Sequence, residues 1–368
     1  MRRILVVELL GGLGDVLMVL PSVHALARSH AGARVTVLTF APGDRLLAAD
    51  PHVAEVVAVG RGPDGTARAT VERELARRSY DLVVTTTRYD GIGELCAAAA
   101  PRAVTDLWRR PPATERVDRR YLRLLAADGV IHPAYVDLPV RVHLTGSERD
   151  AGRRALARAA PGPGRPVVLV PNSGMRVKEW PAARWAELTA RLRAGGRPVV
   201  AVTPPAAPTA PTAAAAPAPA DRPTVPGATR LPASDLRGLA AMLAAVGDRD
   251  GAAVGGDTGP MRLAAAVGTR TVALFGPTVT GRYGLAGPAP GSVDLQGLPG
   301  CPVRRPLAIS EQECWWTAAC PLTGGGSPAC LHDLGVDAVL EHLAQPAPVT
   351  TATTSGASRP ATPPPGRW

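Results

Sequence analysis

The sequence has 368 residues and a net charge of +10, and 46% of its residues are hydrophobic. This length allows two domains with full cores, and no apolar run approaches the roughly eighteen residues needed to cross a bilayer. The charge favours anionic partners, but the arginines are scattered and only two phenylalanines and five tyrosines could stack on bases. We therefore expect no nucleic-acid partner. Five cysteines in a chain that we take as cytoplasmic argue against a disulfide framework.

The first half of the chain alternates strand and helix patterns. "RILVVELL" predicts a buried strand, "GGLGD" a tight turn, and residues 15–30 a helix. This start could pass for a signal peptide, but Glu8 and Asp15 interrupt its apolar stretch. Further strands are predicted, and a less periodic, arginine-rich stretch closes this half. The strands cover 33–40, 53–60 and 80–87, and the closing stretch covers 103–160. Such alternation is typical of a parallel α/β sheet.

A second α/β series begins at "RPVVLVPNSG". It continues through a helix, a strand, a second helix and a final strand, at 182–196, 197–203, 234–246 and 270–278. Low-complexity Pro/Ala/Thr sequence at 204–223 interrupts it, and a similar tail begins near residue 346; neither segment can bury enough apolar surface to order itself. We predict two Rossmann-like domains, 1–160 and 161–345, followed by a disordered tail, 346–368.

The first glycine turn does not match a dinucleotide-binding fingerprint. Gly12 and Gly14 are followed by Leu17 where a third glycine is needed, and no acidic residue ends the second strand. Asp15 opens the following helix. It is either a helix N-cap or a functional carboxylate facing a cleft between the domains.

A second glycine turn, "GGDTGPMRLAAAVG", places Asp257, Thr258 and Gly259 ahead of a helix of small residues. Backbone N–H groups and a hydroxyl at a helix N-terminus form an anion site, although Asp and Thr are also ordinary N-caps. Two glycines before the Asp-Thr pair and one after it favour close backbone approach to a ligand.

Lys178 is the only lysine of the chain; the other 40 of its 41 lysine and arginine residues are arginine. It follows the strand that ends in "VPNSG", and open α/β sheets bind ligands at that edge. A lysine is a compact charge with three rotatable donors, which suits a phosphate or sugar oxygen in a crowded cleft. The alternative is a solvated loop lysine left by chance.

Four segments together resemble glycosyltransferase family 9, the heptosyltransferases: "GGLGDVLMVLPSVHAL", "KEWPAARW", "GGDTGPMRLAAAVGTRTVALFGPT" and "RYG" at 282–284. Their order and spacing match over about residues 3 to 345. The resemblance implies a GT-B fold, in which an N-terminal acceptor domain and a C-terminal nucleotide-sugar domain face each other across a cleft. It also implies an inverting, metal-independent transfer from ADP-heptose or a related nucleotide sugar, with no cofactor. The acceptor would be a glycan or glycolipid of the cell surface, as in lipopolysaccharide core assembly, which is compatible with peripheral association at the inner face of a membrane.

The resemblance also implies roles for individual residues. Asp15 would be the catalytic base, next to an acceptor-side loop with Gly12 and Gly14, and Lys178 the catalytic cation near the donor phosphates. The donor-binding residues would be Asn172, Ser173, Lys178, Asp257, Thr258, Gly259 and Arg262.

The chain departs from the family pattern at two places. Arg262 stands where the family usually has histidine, so the local geometry is open. The 204–223 insert lies where the family has an acidic nucleotide contact, and residues 202–220 contain no aspartate or glutamate. The donor is therefore left open. So are two other functions: a non-catalytic GT-B relative that binds or regulates, and another GT-B enzyme such as a sugar-nucleotide epimerase.

Four cysteines fall within one segment near the C-terminus: Cys301, Cys314, Cys320 and Cys330. Their spacing includes no CxxC pair, so we expect reduced, structural cysteines and no metal, with a zinc or iron–sulfur site as the alternative.

Overall fold

A computed structural model of the protein describes residues 1–60, 62–63, 65–202, 225–231, 234–285 and 287–345. The predicted insert at 204–223 and tail at 346–368 lie outside the described residues. The described chain forms two parallel β-sheets, each covered by helices.

The first sheet has five parallel strands in the order β3-β2-β1-β4-β5: β1 (Arg3–Glu8), β2 (Arg34–Phe40), β3 (Glu55–Val59), β4 (Leu82–Thr85) and β5 (Ala103–Val104). Both faces of β1 are apolar. Ile4 and Val6 join one hydrophobic cluster, and Leu5 and Val7 join another on the opposite face. A parallel strand that is buried on both faces needs helices on both sides of its sheet. The helices of this half are α1 (Leu13–Ser29), α2 (Thr66–Arg77), α3 (Ile92–Ala98), α4 (Val117–Ala127) and α5 (Gly146–Ala159).

The second sheet has six parallel strands in the order β11-β10-β9-β6-β7-β8. The strands are β6 (Val167–Val170), β7 (Val199–Ala201), β8 (Thr229–Arg230), β9 (Ala252–Gly256), β10 (Arg270–Phe275) and β11 (Val293–Gln296). The helices are α6 (Ala182–Ala194), α7 (Leu236–Gly247), α8 (Gly259–Ala266), α9 (Thr280–Tyr283), α10 (Cys314–Thr317), α11 (Ala329–His332) and α12 (Val336–Ala344). Counted from β6, this is the doubly wound Rossmann order.

The α/β expectation is confirmed, and the predicted strands begin and end within a few residues of the observed ones. The sequence reading missed structure in the arginine-rich stretch, where α4 and α5 lie. In α4 the buried Val117, Tyr121, Leu124 and Leu125 form one face, and the arginines between them masked its period. The start of α5 has a capping box, because the Thr145 side chain and Glu148 bond each other's backbone N–H.

The two halves share apolar packing. One hydrophobic cluster runs from the first sheet through α1, α8 and α7 to residues of the second sheet. The division predicted at residue 160 falls between α5 and β6, yet α5 packs on α7 of the second half. The boundary between the two domains therefore stays a prediction.

Candidate active site

A cavity of about 780 Å³ lies between the two sheets. Its walls include the segments that follow β1, β6, β9 and β10, which are the carboxyl ends of parallel strands, together with residues of α7. In open α/β sheets this edge is where ligands bind. Every site residue named from the sequence lines the cavity: Gly12, Gly14, Asp15, Asn172, Ser173, Lys178, Asp257, Thr258, Gly259 and Arg262.

Two helix N-termini, one from each half, meet at this cavity. A Cβ built on Gly259, the first residue of α8, would lie 2.8 Å from the Leu13 Cβ at the start of α1. A Cβ on Gly14 would lie 3.3 Å from the Arg262 Cδ. The approach at Gly259 requires glycine, and the approach at Gly14 is tight. The positive ends of two helix dipoles therefore border the same space, which favours an anionic ligand.

A partly buried ion cluster lies on the wall that the second half contributes. The Lys178 ammonium contacts the Asp257 carboxylate at 2.9 Å, and the Arg262 guanidinium contacts its other oxygen at 2.7 Å. Arg262 also donates to the Tyr283 carbonyl. Two cations around one carboxylate leave a single net positive charge at the cavity wall.

This cluster keeps Asp257 ionised. Burial by itself raises the pKa of a carboxyl, but the charges and hydrogen bonds of Lys178 and Arg262 outweigh burial and hold the pKa of Asp257 at about 2. The N-cap of α8 is Thr258, and its side chain makes no capping hydrogen bond. These contacts argue against the alternative in which Asp257 and Thr258 serve only as helix caps.

Asp15 lies on the first-half wall, in the first turn of α1. The N-cap is Gly12, and the Asp15 carboxylate accepts the Gly12 backbone N–H at 2.9 Å. Burial raises the pKa of Asp15 above its ordinary value, although the Gly12 amide, Arg262 and Lys178 oppose the rise. A carboxylate with a raised pKa next to a cavity has the properties of a general base.

Glu8 is a neighbouring carboxyl that the sequence reading did not identify as part of the site. It ends β1, is almost fully buried, and accepts the Leu10 backbone N–H at 2.9 Å beneath the glycine turn. Burial, together with the charge of Asp15, raises the pKa of Glu8 to about 8. At neutral pH it is therefore mostly uncharged, which spares Asp15 a second negative charge.

Three buried polar atoms at the cavity have no hydrogen-bond partner among the described residues: Asn172 Oδ1, Thr258 Oγ1 and Thr278 Oγ1. Buried polar groups are paired in the great majority of cases, so these three mark places where a polar ligand would bind. Ser173 is different, because its hydroxyl accepts the Met175 backbone N–H at 3.1 Å.

Trp315 is a site residue that the sequence reading missed. The Lys178 ammonium lies 5.3 Å from the centre of its ring, and the tryptophan lines the cavity. It packs with Cys314 on Val177, within the turn that carries Lys178. The only signal was the rare "CWW" run, which lies more than a hundred residues from Lys178.

The prediction that the three glycines of the second turn admit a ligand is wrong, because Gly259 makes room for Leu13 and the other two make room for further parts of the protein. A Cβ on Gly256 would lie 2.8 Å from the Lys178 carbonyl oxygen, and one on Gly255 would meet Val170 and Met261 within 2.9 Å. These glycines admit other parts of the protein. The "RYG" motif is also structural in this state: Arg282 is buried and donates to the Pro112 carbonyl at 3.2 Å.

The C-terminal cysteines are all free thiols. Burial raises the pKa of Cys314 and raises that of Cys330 to about 11, which keeps these two protonated. Within the described part of the chain, no three of the four thiols lie close enough to hold one metal ion.

Two doubly wound sheets that face each other across a ligand-sized cleft define the GT-B fold. Residues 108–296, just over half of the chain, match Glycosyltransferase family 9 (heptosyltransferase). The chain belongs to this family and is a glycosyltransferase. No curated protein matches it in sequence.

Three solved structures have the same fold. The family 9 glycosyltransferase from Veillonella parvula is 17% identical, with 93% of this chain and 96% of that chain covered and a TM-score of 0.70. The E. coli ADP-heptose lps heptosyltransferase II is 19% identical, with 93% and 97% covered and a TM-score of 0.64. The E. coli heptosyltransferase WaaC with ADP is 17% identical, with 92% and 98% covered and a TM-score of 0.58. In the described ranges no helix is long and apolar enough to cross a membrane.

Proposed function

We propose that this glycosyltransferase transfers heptose from ADP-heptose to a glycan or glycolipid acceptor of the lipopolysaccharide core type, with inversion and without a metal ion. Two of the similar structures are named as heptosyltransferases, one of them with ADP bound. The observation that carries the proposal is the cleft in which Asp15 faces the Lys178–Asp257–Arg262 cluster. The net charge of +10 supports action at the cytoplasmic surface of an anionic membrane, where a glycolipid acceptor would lie.

Asp15 acts as the general base. As the acceptor oxygen bonds to the anomeric carbon, its proton passes to the Asp15 carboxylate, and the bond from that carbon to the diphosphate breaks on the opposite face. ADP leaves with the electron pair. The hydrogen bond from Gly12 fixes one carboxylate oxygen, Oδ2, and leaves the other to receive the proton.

Lys178 and Arg262 balance the charge that gathers on the leaving diphosphate. Lys178 Nζ has three donors, of which one reaches Asp257 Oδ2 at 2.9 Å and a second approaches the Asp257 carbonyl at 3.4 Å. The third is left for a phosphate oxygen. The N-terminus of α8 adds backbone N–H groups on the same wall. The site can thus supply from its own groups the positive charge that a metal-free transfer requires.

The unpartnered Asn172, Thr258 and Thr278 atoms are the proposed hydrogen-bonding contacts to the donor. Apolar side chains line another part of the cavity, and we assign them to the face of the nucleotide base; they include Met175, Leu236, Leu239 and Met242.

The test is a donor panel on the full chain. ADP-heptose, GDP-, UDP- and dTDP-sugars are compared by thermal shift, since a bound donor stabilises the fold by mass action. ADP release is then measured with a lipopolysaccharide-core acceptor, with and without EDTA, and NMR gives the anomeric configuration of the product. We expect ADP-heptose to give the largest shift, and transfer to survive EDTA with inversion.

Different outcomes contradict different parts. A larger increase in melting temperature with another nucleotide sugar would identify that sugar, and not ADP-heptose, as the donor. If EDTA abolishes transfer and Mg²⁺ or Mn²⁺ restores it, the reaction depends on a metal ion and that part of the proposal is wrong. Donor binding without transfer to any acceptor would favour a non-catalytic binding module.

A further inference from the structure

Three histidines from distant parts of the chain converge on one buried carboxylate. His24 lies in α1, His52 lies in the turn before β3, and His143 lies in the segment before α5. The His24 Nε2 contacts the Asp50 carboxylate at 2.7 Å. The ring centres of His52 and His143 lie 5.0 and 5.6 Å from that of His24. None of the four residues lines the large cavity, so this cluster is separate from the transfer site.

We propose that His24, Asp50 and His143 form a binding site for one divalent transition-metal ion of the zinc class. Their ligand atoms all lie within 4.8 Å of one another. Three atoms that close together fit within a circle of about 2.8 Å radius, whereas metal bonds to nitrogen or oxygen measure about 2.0–2.2 Å. An inward movement of less than about 1 Å, within reach of small χ adjustments, brings all three to bonding distance.

The charges that face the cluster are few. Arg28 lies on α1 and Arg141 precedes His143; both are exposed, so solvent screens them.

Among the described residues, the ring nitrogens of His52 and His143 hydrogen-bond to no other side chain. Two imidazoles and a carboxylate, with a third imidazole beside them, favour zinc, cobalt, nickel or copper over magnesium or calcium.

A metal here would join the first half to the connecting segment. The His143 carbonyl accepts the Arg237 guanidinium at 2.9 Å, and Arg237 of α7 also donates to the Leu46 carbonyl at 3.0 Å. Arg237 is paired with Glu148 as well. A metal that links α1 to His143 would therefore stabilise the region in which Arg237 of α7 attaches the second half to the first. Its effect should be on stability rather than on the transfer step.

The experiment titrates metal-free full-length protein with Zn²⁺ by calorimetry and with Co²⁺ by visible absorption. The variants are His143→Gln, at a partly exposed position, and Asp50→Asn. His332→Gln is the control, because that histidine is exposed and outside the cluster. We expect one equivalent of metal, a raised melting temperature on binding, and at least about 100-fold weaker binding in His143→Gln. The control should bind as the wild type does.

Cobalt distinguishes this site from the cysteines. Nitrogen and oxygen ligands give only ligand-field bands, whereas thiolates add an intense near-ultraviolet charge-transfer band. Saturable binding that His143→Gln leaves unchanged, or a thiolate band in the wild type, would place the metal at the cysteines and overturn the proposal. Absence of saturable binding by the wild type would also overturn it. His143→Gln alone decides the matter should Asp50→Asn fail to fold.

Discussion

Replacement of Lys178 tests the centre of the proposed site. The pKa of Asp257 falls from an ordinary 3.8 to about 2, which corresponds to about 2 kcal/mol of folding stability at neutral pH. Because the folded-state pKa is the lower one, this stability is present above about pH 4 and is lost as the pH falls toward 2. Lys178 makes the larger charge contribution, ahead of Arg262. Lys178→Ala should therefore cost at least about 1 kcal/mol of stability at pH 7.

The effect on turnover should be larger. Removal of one preorganised donor to a developing negative charge costs about 3 kcal/mol of transition-state stabilisation, or roughly 100-fold in kcat. Binding of ADP should weaken much less, because the charge on the leaving group grows most in the transition state.

Lys178→Arg keeps the charge but not the shape. The Lys178 carbonyl is packed against Gly256, so the backbone at this position cannot move back to make room for a longer side chain. The Lys178 ammonium lies beside Trp315, where a planar guanidinium would not fit in the same way. We expect normal folding with most activity lost.

The assay is ADP release under saturating donor, with ADP affinity by calorimetry and stability by urea unfolding. Arg176→Ala is the matched control, since it removes an exposed cation from the same turn. Full activity in Lys178→Arg would refute the geometric argument and leave the lone lysine as an accident of composition.

Three further variants test the surrounding residues. Asp15→Asn can still accept the Gly12 N–H, so it should fold and bind donor while kcat falls by about 100-fold or more; in the wild type the acid limb of kcat/KM should lie above the ordinary aspartate pKa of 3.8, and a limb at or below that value would argue against Asp15 as the base. Glu8→Gln should raise the melting temperature at neutral pH and most at about pH 8, because the folded-state pKa of about 8 lies above the ordinary 4.5 and the wild type therefore loses stability as the pH rises from about 4.5 to 8; an unchanged melting temperature at pH 8 would contradict this. Gly259→Ala should cost about 1–3 kcal/mol through its clash with Leu13, measured by urea unfolding, whereas Gly146→Ala, with open space around it, should be neutral or stabilising.

The strands and the glycine turns could be predicted because they depend on local pattern. A run such as "RILVVE" is apolar on both faces, and a short run of this kind followed by a glycine turn predicts a buried parallel strand. α4 could not be recognised in the same way. Its arginines obscure the apolar period, and Arg120 is itself buried, where its guanidinium donates to the Leu107 carbonyl at 3.0 Å. Burial of a charged side chain depends on partners that only the folded chain supplies.

The site, like the fold, could be predicted from the sequence only where it depends on local pattern. Asp15, Lys178 and Asp257 follow strand ends or open helices, and strand ends of parallel sheets meet at one edge, so their convergence could be expected. Trp315 lies well beyond the end of the last strand, β11, and its place beside Lys178 depends on the path of that long connection. Glu8 presents no local sign either, because its raised pKa arises from burial and from a neighbour seven residues away.

An ionised carboxylate in a site proposed for a diphosphate requires a physical reason, and Asp257 provides one. Two unpaired cations at a partly buried wall would repel each other and adopt many side-chain conformations. Asp257 holds both at fixed positions, at 2.9 and 2.7 Å from its two oxygens, and still leaves a net positive charge toward the cavity. The cost of ordering the cations is then met during folding rather than at the moment of transfer, which is the condition under which fixed charge accelerates a reaction. Asp257 would thus contribute to catalysis as a positioning residue, through Lys178 and Arg262, without contact with the reacting atoms.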